Sequence, residues 1–117
     1  MSRRSRQLLR AAAESDNTFE RVTRGGREYW VGQCIHCRTR VSVPLDPDER
    51  AHATLEHIVP RHHGGSDDPE NLAVACQRCN QGKGRRLDLR ARNDDTLQRV
   101  ITLLQERRRA RLREPPV

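Results

Sequence analysis

Two Cys-x-x-Cys pairs constrain this chain of 117 residues more than any other feature. Cys34 and Cys37 form the first pair, Cys76 and Cys79 form the second, and 38 residues separate the pairs. Paired cysteines at this spacing are typical ligands of a tetrahedral zinc ion. A site closed by four thiolates leaves no position for water, so the predicted Zn²⁺ is structural. The alternative, disulfides or four ordinary thiols, is less consistent with the absence of an N-terminal secretory pattern.

The composition indicates why a metal would matter to the fold. Only 33% of the residues are hydrophobic and 3% are aromatic, and the mean hydropathy is −0.96. A small and polar chain is not expected to form a self-sufficient apolar core, and a structural metal compensates for that deficit. We therefore expect a small α+β fold that a four-cysteine zinc site stabilises, with helices on its flanks.

The charge balance favours a polyanionic partner. Lys and Arg together number 23 against 16 Asp and Glu, which gives a formal net charge of +7 and a pI near 10.5. All of these cationic residues except Lys83 are arginines, and arginine binds phosphate oxygens through two parallel hydrogen bonds. No apolar run approaches membrane-spanning length. The predicted location is therefore the cytoplasm, that of a bacterium or of a phage-infected host.

The chain is predicted to have three parts. Residues 1–18 are rich in arginine and form either a short basic helix or an arm. Residues 19–90 contain both cysteine pairs and form the central domain. Residues 91–117 form a C-terminal helix and tail, because apolar residues recur there at helical spacing. These residues are Leu97, Val100, Ile101 and Leu104.

Hydrophobic alternation predicts strands within the central part. Residues 19–33 are expected to form a β-hairpin with its turn at Gly25-Gly26. Residues 41–45 and residues 54–59 are expected to form two more strands. Helical character is expected at residues 70–75, and a further helix is expected after the last cysteine.

Four short motifs follow one another in the second half of the central part. They are Glu56-His57-Ile58-Val59-Pro60, Gly64-Gly65, Asn71-Leu72 and Cys76-Gln77-Arg78-Cys79-Asn80-Gln81-Gly82-Lys83. This segment resembles the HNH endonuclease family. The usual pattern of that family is an acidic residue before His-Ile-x-Pro, a Gly-Gly loop, Asn-Leu, and Cys-x-x-Cys-Asn-x-x-Lys. The resemblance implies a ββα-metal core, two strands and a helix around one catalytic divalent ion, with the zinc site holding its two ends together.

The resemblance implies roles for four residues. His57 matches the general base that takes a proton from the attacking water, and imidazole titrates near neutral pH as that role requires. Glu56 matches the acidic ligand of the catalytic ion, which is more often Asp. Asn80 matches the residue that completes the protein's hold on that ion, and Asn71 matches a brace for the loop that carries His57. The implied catalytic ion is Mg²⁺, or another divalent ion such as Mn²⁺ or Ni²⁺.

Simpler interpretations accompany these roles. Strand alternation sends Glu56 and His57 to opposite faces, so both serve one site only if the strand ends or bends near His57, as Pro60 favours. Asn71 and Asn80 are also consistent with helix caps. His36, inside the first cysteine pair, is expected to be an exposed polar residue.

Further residues are candidates for contact with the substrate. Candidate phosphate ligands are Arg61, Lys83, Arg85 and Arg86. His62 and His63 are secondary candidates for contact with the metal, a phosphate or the leaving group, although solvated loop histidines are the more common interpretation.

The implied activity is metal-dependent hydrolysis of DNA phosphodiester bonds, leaving 5′-phosphate and 3′-hydroxyl ends. One copy is expected to cut one strand, and a homodimer or a larger nucleoprotein assembly would permit double-strand cleavage. Two alternatives stay open: an inactive zinc module that binds nucleic acid, and a nuclease that acts on RNA.

Overall fold

The computed structural model describes residues 1–81 and 89–116. The helices are α1 (Arg3–Glu14), α2 (Gln77–Cys79) and α3 (Asp95–Arg111), and the strands are β1 (Glu20–Arg24), β2 (Arg27–Gln33), β3 (Arg40–Pro44), β4 (Thr54–His57) and β5 (Leu72–Ala75). Single 3-10 turns lie at Arg61–His63 and Pro69–Asn71. The fold is therefore α+β, as the composition and motifs predict. Of the helices in these ranges, none has the length and hydrophobicity needed to cross a bilayer.

Strands β1, β2 and β3 form one antiparallel sheet in that order. The turn between β1 and β2 places Gly25 at φ +56° and Gly26 at φ +76°, a conformation that glycine adopts without steric cost. The predicted hairpin is thus confirmed. Strand β3 confirms the strand expected near residues 41–45, and it pairs Val43 with Trp30 of β2 so that two buried side chains meet.

Strands β4 and β5 form a second antiparallel sheet, with His57 opposite Leu72 and Glu56 opposite Ala73. The strand expected at residues 54–59 ends at His57. The helical character expected at residues 70–75 is wrong, because only one 3-10 turn precedes a strand over Leu72–Ala75. All four residues of β5 are buried, and a short apolar run covered on both faces is typical of an interior strand.

Helix α1 covers the second sheet and contributes Leu9, Ala12 and Ala13 to the core. The arginine-rich N-terminal segment is therefore a packed helix from Arg3 to Glu14. The Ser2 side chain caps this helix by accepting a hydrogen bond from the backbone N–H of Ser5.

Helix α3 confirms the helix predicted near the C-terminus. Asp94 caps it by accepting a hydrogen bond from the backbone N–H of Leu97, and its apolar face is buried. Arg108 has no exposed surface and donates hydrogen bonds to the carbonyl oxygens of Ser15 and Pro69. The backbone N–H of Arg113 also donates to the carbonyl oxygen of Ser15. The two ends of the chain therefore pack against each other.

Candidate active site and zinc site

The four cysteines lie close together, where strand β2 of the first sheet and strand β5 of the second sheet end. Their sulfur atoms all lie within 4.8 Å of one another, and the Sγ atoms of Cys37 and Cys76 are 3.8 Å apart. A zinc ion bound tetrahedrally by thiolates at 2.3 Å places its sulfur ligands roughly 3.8 Å apart. Backbone N–H groups of His36 and Cys76 point at the Cys34 sulfur, at 3.4 Å and 3.3 Å. The cysteine geometry therefore fits a structural zinc site.

The pKa values of two of the thiols are shifted in opposite directions. A backbone hydrogen bond at Thr39 is the main cause that lowers the pKa of Cys37 to about 7. Burial and the neighbouring sulfur atoms raise the pKa of Cys79. Four sulfur atoms this close cannot all ionise side by side, and a divalent ion would remove that repulsion.

His57 stands at the end of β4, beside a carboxylate from the following loop. Its Nε2 atom lies 2.8 Å from Oδ1 of Asp67. Asp67 also accepts hydrogen bonds from Nη2 of Arg4, at 3.0 Å, and from Nη2 of Arg61, at 3.2 Å. The hydrogen bond with His57, followed by that with Arg4, holds the pKa of the Asp67 carboxyl well below its usual range. No motif in the sequence marks Asp67, which sits in a polar loop with ordinary turn composition.

Glu56 and His57 contact different residues, and β4 ends at His57, which is the condition under which both can serve one site. Its side chain is buried, and Oε2 lies 3.2 Å from Nε2 of His36 without the alignment of a hydrogen bond. The nearby Glu56 carboxylate raises the pKa of His36. The expectation of an exposed His36 is wrong, because only 13% of its side chain is accessible. A zinc-loop histidine therefore contacts the candidate metal ligand.

Asn71 ties the loop after β4 to the start of β5. Its Oδ1 accepts a hydrogen bond from the backbone N–H of Val59, at 2.8 Å, and its Nδ2 donates to the carbonyl oxygens of Ser66 and Val59, at 2.8 Å and 3.2 Å. All three bonds join the Asn71 side chain to backbone groups of the loop. The side chain thus connects the segment just after His57 to the residue just before Asp67.

The Gly-Gly pair lets this loop close. Gly64 adopts φ +91°, a region that favours glycine. A Cβ atom at Gly65 would overlap the carbonyl oxygen of Val59 and approach Nδ2 of Asn71 to 3.0 Å. Because a backbone carbonyl cannot move aside as a side chain can, the loop requires glycine at this position.

The other candidate residues lie in different settings. Asn80 is half-buried at the end of α2, and its backbone N–H donates to the carbonyl oxygen of Cys76. Within residues 1–81 and 89–116, no hydrogen bond or ion pair joins Asn80 to Glu56. The rings of His62 and His63 contact each other with centroids 4.2 Å apart. Lys83, Arg85, Arg86 and the helix expected after the last cysteine lie outside the described residues.

The oxygen donors present fit a hard divalent cation in their chemistry. Glu56 offers a carboxylate and Asn80 offers an amide oxygen, both of which are ligands that Mg²⁺ and Mn²⁺ accept.

This chain is similar in sequence to a known protein family. A family model described as HNH endonuclease matches residues 34–96, which is more than half of the chain. The matched range contains all four cysteines, both residues of the Glu56-His57 dipeptide, Asn71 and Asn80. Searches of curated proteins and of solved structures found no match. The chain belongs to the HNH endonuclease family.

Proposed function

We propose that this protein is a metal-dependent endonuclease that hydrolyses phosphodiester bonds in DNA, with one strand cut per active site. The observation that carries the proposal is the position of His57, which closes strand β4 inside the family-matched range. Its side chain is 17% exposed, so the imidazole is held by its surroundings and still reaches solvent. A histidine in this setting suits a general base that takes a proton from water.

The other residues have supporting roles in this proposal. A divalent ion bound by Glu56 and Asn80 would neutralise the charge that develops on the scissile phosphate and its 3′ oxygen. The buried position of Glu56 limits the movement of its carboxylate. Asn71 holds the loop beyond His57, so that the imidazole keeps a fixed direction relative to β4.

Arginine supplies the affinity for DNA in this proposal. Arg4 and Arg61 are exposed and lie beside Asp67, next to His57, where a phosphate of the bound strand would pass. Lys83, Arg85 and Arg86 are proposed as further phosphate contacts because of their place in the sequence. Each neutralised phosphate adds about 0.9 to the slope of log affinity against log salt concentration. We therefore expect binding that weakens steeply with salt.

A plasmid-nicking assay tests the activity. Zinc-loaded protein is incubated with supercoiled DNA in Mg²⁺, Mn²⁺ or Ni²⁺, and the appearance of nicked circles is followed. His57→Ala is expected to slow nicking by about 100-fold or more. His52→Ala, which changes an exposed histidine before β4, serves as the matched control and is expected to cut at the rate of the unchanged protein. Equal cutting by the His57→Ala variant in every metal would contradict the proposal.

One observation favours a second candidate function, a non-catalytic zinc module that binds nucleic acid. The contact between Glu56 and His36 occupies one oxygen of the proposed metal ligand. If the protein is such a non-catalytic module, a gel-shift experiment would detect DNA or RNA binding, and no nicks would appear with any of the metals. Labelled DNA and RNA of the same sequence, run side by side with the unchanged protein and His57→Ala, separate this candidate from a nuclease that prefers RNA.

A further inference from the structure

We propose that Asp67 is a positioning residue that fixes the tautomer and the orientation of His57, so that Nδ1 is the nitrogen that accepts the proton from water. The inference rests on the proposed function of His57 as general base. It assigns a role to a residue in the polar loop between Gly65 and the turn at Pro69–Asn71.

The contact between the two side chains determines the tautomer. An ionised carboxylate only accepts hydrogen bonds, so the His57 nitrogen that lies 2.8 Å from Asp67 must carry the proton. In a neutral imidazole the other nitrogen, Nδ1, then has a free lone pair. Among the described residues Nδ1 has no hydrogen-bond partner, and it is not one of the buried atoms without a partner. Nδ1 is therefore open to water.

The position of Asp67 is itself fixed from several sides. Arg4 donates to Oδ2, and Arg61 donates to both carboxylate oxygens. The amide of Asn71 binds the carbonyl oxygen of Ser66, which adjoins Asp67, and also binds the backbone of Val59. One buried side chain thus sets the distance between the loop of Asp67 and the end of β4.

Replacing Asp67 with Asn is expected to reverse the tautomer. Arg4 binds Oδ2, the carboxylate oxygen that does not bind His57, and Arg61 reaches Oδ2 as well as Oδ1, so the two arginines together would retain the amide oxygen of the variant at the Oδ2 position. The NH₂ group would then face Nε2 of His57 and donate to it. With Nε2 acting as acceptor, the ring proton moves to Nδ1, and that nitrogen can no longer take a proton from water.

Kinetics of nicking with the zinc-loaded full chain give the first test. For Asp67→Asn we expect kcat to fall by about 10–100-fold, because the side chain is proposed to act through His57. KM for DNA should change less than kcat and in the direction of tighter binding, because Arg4 and Arg61 lose a competing carboxylate. Asp68→Asn is the matched control: it removes the same charge from the neighbouring residue, whose side chain contacts Ser66. A kcat for Asp67→Asn equal to that for Asp68→Asn would overturn the inference.

NMR of the His57 ring gives a second test that does not depend on catalysis. Nitrogen and carbon chemical shifts of imidazole-labelled protein distinguish a proton on Nε2 from one on Nδ1. We expect the Nε2–H form in the unchanged protein and in Asp68→Asn, and the Nδ1–H form in Asp67→Asn. The same tautomer in all three proteins would overturn the inference. If the tautomer changes but His57→Ala still cuts DNA normally, the positioning role stands and the general-base assignment fails.

Discussion

Replacing Asn71 with Ala should weaken the whole fold by an amount that can be worked from the structure. The side chain is 8% exposed and makes three hydrogen bonds to the backbone of Val59 and Ser66. At about 1 kcal/mol for each hydrogen bond, the expected loss in the free energy of unfolding is about 3 kcal/mol. The free energy of unfolding of a small domain is roughly 5–15 kcal/mol in total, so the variant should still fold but with a much smaller free energy of unfolding.

Urea unfolding of the zinc-loaded protein, followed by circular dichroism at fixed zinc concentration, measures this loss. Asn17→Ala is the matched control, because it removes the same atoms from an exposed residue whose side chain makes one hydrogen bond, to the carbonyl oxygen of Ala110. We expect the control to lose about 1 kcal/mol or less, because its one hydrogen bond is exposed to solvent. A loss for Asn71→Ala that is no larger than that of the control would refute the assignment of Asn71 as the brace of the loop.

Three other changes have definite expected outcomes. Gly65→Ala should lower both the thermal midpoint and the nicking rate, since its Cβ would overlap the carbonyl of Val59; a normal midpoint would contradict this. Cys76→Ser should abolish the binding of about one zinc per chain and the cooperative unfolding transition, measured by metal analysis and calorimetry. The hydrogen bond from the backbone N–H of Leu97 lowers the pKa of Asp94 below the value of about 4 that this carboxyl has in an unfolded chain. The ionised carboxylate therefore stabilises the fold above about pH 4, and this stabilisation is lost as the pH falls further. Asp94→Ala should therefore lose about 1 kcal/mol of stability at pH 7, where the carboxylate is ionised and the zinc ligands can bind metal, in urea unfolding of the zinc-loaded protein.

Structural elements with a strong local signal could be predicted from the sequence. Gly25-Gly26 supplies the positive φ angles that a two-residue hairpin turn needs, and the apolar spacing around Leu97 predicts helix α3. The two cysteine pairs predict a metal site because their spacing is that of zinc ligands. By contrast, the four apolar residues Leu72–Ala75 are too few to show a period of 2 or of 3.6, so the sequence could not distinguish strand β5 from a helix.

Contacts between residues that are distant in the sequence could not be predicted in this way. Asp67 belongs to a run of turn-forming residues, and it meets His57 only because Gly65 packs on Val59 and Asn71 bonds both sides of the loop. His36 looks like a polar residue of a zinc loop, and only the folded chain brings it within 3.2 Å of Glu56. In both cases the sequence identifies the central residue of the site, and tertiary packing decides its neighbour.

The contacts between the chain ends have a consequence for the order in which this fold can be completed. The carbonyl oxygen of Ser15 accepts hydrogen bonds from Arg108 and Arg113, and Arg108 lies 93 residues further along the chain than Ser15. Arg108 also bonds the carbonyl of Pro69, beside the loop of Asp67. Because contacts so far apart in sequence form late, we expect the candidate site to gain its final rigidity only after residues 108–113 have been synthesised.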